Sequence, residues 1–425
     1  MITLLIVADD FTGALDTGVQ LAGCGAPTRV VTDPEFSPAN AAGAEVLVID
    51  AETRHLPPSQ AGAIVEGIVR RAVEQKVPYI YKKTDSALRG NVGAELGALL
   101  AASGEKALPF LPAYPQIDRC TRGGVHYIEG RPVAESVFGI DPFEPVRHSD
   151  IAGLIGAQSG VPVHSLPADA PAPEGQGIYV YDASSLADLE RAGQTLAAAG
   201  RLHISAGCAG FGAVLPRLLG LGRAQQPPKP RLDPRLLVVC GSVNPITVAQ
   251  LDAAEEAGFA RLRLTPRQKL EPGYWNTPEG EADRARIEAL LQANPRVLLD
   301  SNDAGGNGPT ADYAAGLGCG LEEMRVRIAS SIGDLVAGLL HSPAVGTLLM
   351  TGGDTLLQVM RCAGVRELEP LCELEKGVVL ARCTYRGCTR HVITKSGGFG
   401  QAALLTDLAA RLEAQAEENR NRSER

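Results

Sequence analysis

Short apolar runs, each ending abruptly in charged or small residues, recur along the chain and alternate with segments whose apolar spacing suits helices. Runs at 2–8, 46–49, 78–81, 108–111 and 178–180 have the continuous apolar character of strands covered on both faces, and segments such as 61–74 and 94–102 have helical spacing. This alternation dictates an α/β fold with mainly parallel sheets, because parallel neighbours need a crossover, usually a helix. In an open parallel sheet the ligand sits beyond the carboxyl ends of the strands, so the residues that follow each run matter most.

With 425 residues the chain exceeds what one hydrophobic core covers, and two domains of roughly 200 residues are expected. A break fits at 221–234, LGRAQQPPKPRLDP, which is rich in proline and polar residues and without periodicity. It reads as a linker between domains at 1–225 and 235–415. After it the alternation restarts, with strand candidates at 235–240, 297–299, 347–350 and 391–394. Pro245 suits the first turn of a helix running to about 258. A last helix is expected at about 400–413, followed by a charged tail at 414–425 that frays. The stretch 121–132, with Gly123-Gly124 and Glu129-Gly130, reads as a hairpin. The two halves share no repeat beyond the alternation itself.

A formal net charge of −9 argues against a nucleic-acid or anionic-membrane partner, so an anionic small molecule must be held by a few placed Lys, Arg and backbone N–H groups. No apolar run approaches the ~18 residues of a membrane span, and the opening run is too short and lacks the basic flank of a signal peptide. Nine cysteines without a CxxC pair read as reduced thiols of a cytoplasmic protein. The oligomeric state stays open, a homo-oligomer included.

Two stretches carry most of the chemistry in the first half. In ADDFTGA, Asp9 and Asp10 follow the opening run and Gly13 begins a helix whose N–H groups point into the same crevice. Adjacent residues leaving a strand point in opposite directions, so the two carboxylates do different jobs, with Asp10 better placed for a ligand. Capping by Asp9, Asp10 or Thr12 is the competing structural reading. In KKTDSALRGN, Lys82, Lys83, Thr84, Asp85, Ser86 and Arg89 offer cations, a carboxylate and hydroxyls within ten residues. A polyhydroxylated acid needs that mixture, although a solvated loop capped by Asp85 or Ser86 would have similar composition. Arg54 follows the 46–49 run, and a guanidinium there matches a carboxylate bidentately; an ordinary surface arginine is the alternative.

In the second half, three small-residue turns follow strand candidates: Gly241-Ser242, then Thr351 to Thr355 with Gly352, Gly353 and Asp354 between them, then Lys395-Ser396-Gly397-Gly398-Phe399-Gly400. Such turns present N–H groups and a helix dipole to phosphate, which favours a nucleotide site. Neither a Walker A sequence nor a GxGxxG opening a helix is present. The run 303–308 reads as a flexible loop. No metal-binding histidine spacing and no GxSxG elbow occurs, and His126, His148 and Cys240 read as structural.

Together with Thr53-Arg54, VHY at 125–127, HSD at 148–150 and GSVNPIT at 241–247, these motifs resemble the four-carbon acid sugar kinase family, formerly grouped as a domain of unknown function. The resemblance covers nearly the whole chain. It implies an N-terminal sugar-acid-binding domain, a C-terminal domain that binds ATP, and phosphoryl transfer across the cleft, usually to a terminal hydroxyl of threonate, erythronate or an oxo-tetronate. By motif position it implies that Asp10, Arg54, Lys83, Thr84, Asp85 and Ser86 contact the acid, and that Ser242, Gly352, Gly353, Asp354, Thr355 and Gly397 contact ATP. The family often shows GSCSPxT and KSGNFG where this chain has GSVNPIT and Gly398, which implies a subgroup and keeps the substrate open.

The chemistry that fits is in-line transfer with Mg²⁺ and N–H groups on the phosphates and a carboxylate, Asp10 or Asp85, on the attacking hydroxyl. Two rivals remain at this stage: an NAD-dependent dehydrogenase of sugar acids, disfavoured by the missing GxGxxG, and a non-catalytic sugar-acid sensor.

Overall fold

The structure, a computed structural model, describes residues 1–141, 144–223 and 230–423. It divides into two compact units, 1–227 and 228–425. Of the expected linker, residues 224–229 lie outside the described residues.

In the first unit, strands β1 (Leu4–Ala8), β2 (Thr28–Val31), β3 (Val46–Asp50), β4 (Tyr79–Lys83) and β5 (Ala107–Leu111) are followed by a small meander. The meander comprises β6 (Arg119–Arg122), β7 (Val125–Ile128) and β8 (Arg131–Pro132), and β9 (Val163–Leu166), β10 (Gly177–Tyr181) and β11 (Ile204–Gly207) complete the unit. The parallel sheet runs β2-β3-β1-β4-β11-β5-β10-β9. All five residues of β1 and of β3 are buried, as continuous apolar runs require in a sheet covered on both faces. Leu5, Val7, Leu47 and Ile49 share one core with Val65, Ile68 and Val69 of helix Pro58–Glu74 and Leu96 and Leu99 of helix Val92–Ser103. The expected hairpin is the antiparallel β6-β7-β8 meander, turned by Gly123-Gly124 and by Glu129-Gly130, all four at positive φ.

The second unit contains β12 (Leu236–Cys240), β13 (Ala260–Arg263), β14 (Arg296–Asp300), β15 (Thr347–Thr351), β16 (Glu367–Glu375), β17 (Val378–Tyr385) and β18 (Cys388–Lys395). Its order is β13-β14-β12-β15-β18-β17-β16, parallel as far as β18 and antiparallel beyond. Each unit therefore opens with the same arrangement, in which its second, third, first and fourth strands lie side by side. Chain order reverses beside the first strand, which makes the crevice next to it the expected ligand position in both units.

Three local expectations need correction. The first helix starts at Phe11 rather than Gly13, because Asp10 is its N-cap and accepts from the Gly13 N–H at 3.0 Å. The last helix spans Leu404–Ser423, so the tail continues the helix instead of fraying. Buried Leu405, Leu408 and Leu412 anchor its first turns, Arg411 pairs with Glu375 at 2.5 Å, and Glu413 pairs with Arg296. The 303–308 loop is tethered at its start, since Asp303 accepts from Lys269 Nζ at 2.6 Å and from the Thr310 N–H and hydroxyl at 2.8 Å each. Among the described residues no helix is long and apolar enough to cross a membrane.

Candidate active site

At the carboxyl ends of β3, β1 and β4, three neighbouring strands of the first unit, Arg54 gathers the acids that follow the other two. Its Nε donates to Asp9 Oδ2 at 2.8 Å and its Nη1 to Asp10 Oδ2 at 2.9 Å. Its Nη2 lies 2.7 Å from Asp9 Oδ2, 2.8 Å from Asp10 Oδ1 and 3.7 Å from Asp85 Oδ1. The backbone sets this up: the Thr53 and Arg54 N–H groups donate to the Asp9 carbonyl, and Asn91 Nδ2 donates to the carbonyls of Thr53 and Leu56, both at 2.8 Å. Gly90, at φ +83°, lets the 85–91 loop pass close to Arg54; a Cβ there would sit 3.1 Å from Arg54 Cγ.

The charges stabilise one another. Burial opposes the ionised form of Asp85, yet Arg89 and then Arg54 hold its carboxyl well below the usual range. For Asp9 burial is again opposed by Arg54 and Lys83, with a net lowering. Burial works against charge on Arg54 too, but Asp10, Asp9 and Asp85 raise its pKa well above normal. The three acids differ in access: the Asp10 side chain is 23% exposed, against 3% for Asp9 and 9% for Asp85. Asp10 is thus the carboxylate open to a ligand, although it also serves as the helix cap.

The other expected residues separate. Lys83 Nζ lies 3.9 Å from Asp9 Oδ1, a buried oxygen without a hydrogen-bond partner. Lys82, one position earlier on β4, points to the opposite side and pairs with buried Glu95 at 2.9 Å. The Thr84 hydroxyl donates to the Gly207 carbonyl at 3.3 Å and is buried, so it is turned away from the acids. Asp85 is gripped by Arg89 through Nε at 2.9 Å and Nη2 at 3.0 Å. The Ser86 hydroxyl accepts from the guanidinium of Arg119, and its carbonyl accepts from His126 Nε2–H at 3.0 Å. Sequence reasoning missed Arg119 and Phe138, whose ring lies between Arg119 and Arg89 with its centroid 5.0 and 5.2 Å from the two guanidinium carbons. Nothing in the sequence marks them, because β6 brings in Arg119, and the segment after β8 brings in Phe138, from outside the motif. His126 is buried, as a structural histidine should be, and burial lowers its pKa to about 4.

In the second unit the three turns converge beside β12. The Gly241 N–H donates to the Thr351 carbonyl at 3.0 Å, and a Cβ on Gly352, at φ +103°, would lie 3.3 Å from the Gly241 carbonyl carbon. A Cβ on Gly241 would lie 1.7 Å from Thr355 Oγ1, and one on Gly397 2.9 Å from Ser242 Oγ. Glycine at these positions is a packing requirement. Thr247 Oγ1 donates to the Gly397 carbonyl at 2.8 Å, and Lys395 Nζ donates to the Ser396 and Gly397 carbonyls at 3.0 and 3.2 Å. Burial brings the Lys395 pKa down to about 8. Asn302, also unforeseen, donates to the Ser242 carbonyl at 3.1 Å from the end of β14. Helix Gly353–Cys362 starts without a side-chain cap, so its first N–H groups remain available to an anion. The Asp354 carboxylate pairs with Arg325. Among the described residues no group of three or more His, Cys, Asp or Glu is placed to hold a metal ion.

A family model described as the sugar-binding N-terminal domain matches residues 4–215, and one described as the nucleotide-binding C-terminal domain matches residues 237–405. The chain is 30% identical to a D-threonate kinase of Salmonella typhimurium, over 95% of this chain and 97% of that one. It is 31% identical to a D-threonate kinase of Bordetella bronchiseptica, over 94% and 95%. A D-erythronate kinase of Heliobacterium modesticaldum is 27% identical, with 95% of each covered. A Haemophilus influenzae protein of solved structure, HI1011, superimposes with a TM-score of 0.68 at 21% identity, covering 94% of this chain and 97% of that one, and shares the fold. By its two domain matches and its near full-length relatives, this chain belongs to the four-carbon acid sugar kinase family.

Proposed function

We propose that the protein transfers the γ-phosphoryl group of ATP to a four-carbon sugar acid, a threonate, erythronate or 3-oxo-tetronate, at its terminal hydroxyl. One observation carries this reading: relatives named as kinases of such acids match nearly the entire chain, so both switch points are accounted for by one reaction. Arg54 and the loop carrying Lys83, Thr84, Asp85, Ser86 and Arg89 shape the acid site. Ser242, the N–H groups of Gly352 to Thr355, and Gly397 cradle the phosphates.

Asp10 orients the attacking hydroxyl and accepts its proton. It is preferred over Asp85 because its side chain is the more open of the two, 23% exposed against 9%. Phosphoryl transfer has a loose transition state, so positioning matters more than a strong base, and a carboxylate held in place by Arg54 suits that task. Mg²⁺ fits as the counter-ion carried by the ATP phosphates, since the nearby acids Asp300, Asp303 and Asp354 are each paired with Arg or Lys. Bound there, it would neutralise charge on the phosphates. We place the activity in the cytoplasm, where ATP is available, and leave a homo-oligomer as part of the proposal.

The test is a coupled assay of ADP release over a panel of threonates, erythronates and 3-oxo-tetronates in both enantiomeric series, with and without Mg²⁺. Turnover that depends on one acid supports the reading; no turnover with any acid, or stabilisation by NAD instead of ATP, removes it. Asp10→Asn is expected to lower kcat on the order of 10²-fold, and a near-normal kcat would eliminate its role.

A further inference from the structure

An acid substrate brings a carboxylate, which needs a cation with donors to spare. Four cations at the first switch point already face carboxylates of the protein. Arg54 has all three nitrogens on Asp9 and Asp10. Arg89 holds Asp85 through two nitrogens and has its Nη1 3.6 Å from Asp141. Lys82 is buried against Glu95. Lys83 lies under the first helix with its Nζ 3.9 Å from Asp9 Oδ1 and 2.5 Å from where a Cβ on Gly13 would sit.

Arg119 differs from all of these. It stands at the start of β6, half-buried, with its guanidinium against the Ser86 hydroxyl and 5.0 Å from the centroid of Phe138. Among the described residues it forms no ion pair with a carboxylate, and the Ser86 hydroxyl engages its Nη1. The aromatic face and the hydroxyl fix the plane of the guanidinium while leaving an edge to offer.

We propose that Arg119 receives the carboxylate of the acid substrate, so that the residue reading the acid function comes from the meander and Arg54 instead acts as a positioning residue for Asp9 and Asp10. The inference rests on the sugar-acid kinase reading above. The electrostatics agree: burial lowers the Arg119 pKa and Arg89 lowers it further, while Asp85 only partly compensates, whereas Arg54 shifts the other way. An incoming carboxylate supplies the missing counter-charge.

The experiment compares wild type, Arg119→Met and Arg119→Lys for KM of the acid, KM of ATP, kcat and melting temperature. It adds calorimetric binding of threonate and of threitol, which has the same carbon skeleton without the carboxylate. Arg119→Met should raise the acid KM on the order of 10²-fold, leave the ATP KM unchanged and lose the preference for threonate over threitol, with Arg119→Lys recovering part of it. A folded Arg119→Met that keeps the preference, or one that weakens ATP and acid alike, overturns the proposal and leaves the kinase reading standing. If the wild type turns over no acid, the kinase reading fails, and the threonate-over-threitol preference in wild type and variant still decides the role of Arg119. Wild type that binds both compounds equally overturns the role of Arg119 and leaves the kinase reading to the turnover assay.

Discussion

The two units share the order of their first four strands and differ in what lines the crevice beside the first one. In the first unit it is lined by long charged side chains in a closed set of ion pairs around Arg54. In the second it is lined by Gly241, Gly352 and Gly397, packed so closely that added Cβ atoms would meet the Thr355 hydroxyl, the Gly241 backbone and the Ser242 hydroxyl at 1.7, 3.3 and 2.9 Å. Under the proposed function, the same scaffold supports two modes of recognition. Side chains can distinguish hydroxyls from carboxylates on a small acid, whereas backbone N–H groups and a helix terminus suffice for phosphate.

If that contrast is right, removing one side chain should damage the first unit far more than the second. The largest effect is expected for Arg54→Met, which leaves Asp9, Asp10 and Asp85 around an apolar side chain. Losing the common partner of largely buried charges costs about 3–5 kcal/mol, read as a drop in the urea unfolding free energy. A loss below about 1 kcal/mol would mean that water already solvates these carboxylates.

The next effect is the pH dependence that His126 brings to the first unit. Folded His126 stays neutral down to about pH 4, whereas in the unfolded chain it takes up a proton near its ordinary value of 6.5. The unfolded state binds the extra proton between those values, so stability falls as pH falls from 6.5 to 4, by roughly 3 kcal/mol over the window. His126→Gln should flatten this part of the stability profile, and an unchanged slope would show that another group titrates there.

In the second unit, Gly352→Ala forces an L-residue to φ +103° against the Gly241 backbone, a strain of about 1–3 kcal/mol. It should raise the ATP KM about tenfold and leave acid binding untouched; an equal effect on the acid would break the proposed division of labour. The smallest change belongs to Asp354→Ala. Its carboxylate is 41% exposed and paired with Arg325, so its removal should alter the ATP KM by less than about threefold, the backbone N–H remaining in place. A larger change would mean that a side chain also works in the second crevice.

Strands of continuous apolar character, such as β1, β3, β12 and β15, were legible because apolar runs with abrupt charged or glycine-rich endings are local properties of the chain, and the α/β fold follows from them; β2, β13, β16 and β17 carried no such mark. The partners of Arg54 were less so. Both aspartates of ADDFTGA lie beside it in space, yet their separate duties as buried partner and exposed cap depend on how the strand end is oriented against β3 and β4. The tail misled for a related reason: a charged, apolar-poor segment has little reason to be helical by itself, but it propagates from a helix anchored by Leu405, Leu408 and Leu412.

What the sequence by itself determined is the number of units, their class, and the strands that end in charged or glycine-rich residues, because periodicity and residue type report burial and turn formation directly. What only the tertiary structure decided is which charges neutralise one another and which remain available. Lys82 and Lys83 are adjacent in the chain and face opposite ways, while Arg119 reaches Ser86 from 33 positions on. The division between spent and available cations at the acid site is a matter of long-range packing, and pairwise electrostatics falls off over a few ångströms that the sequence cannot measure.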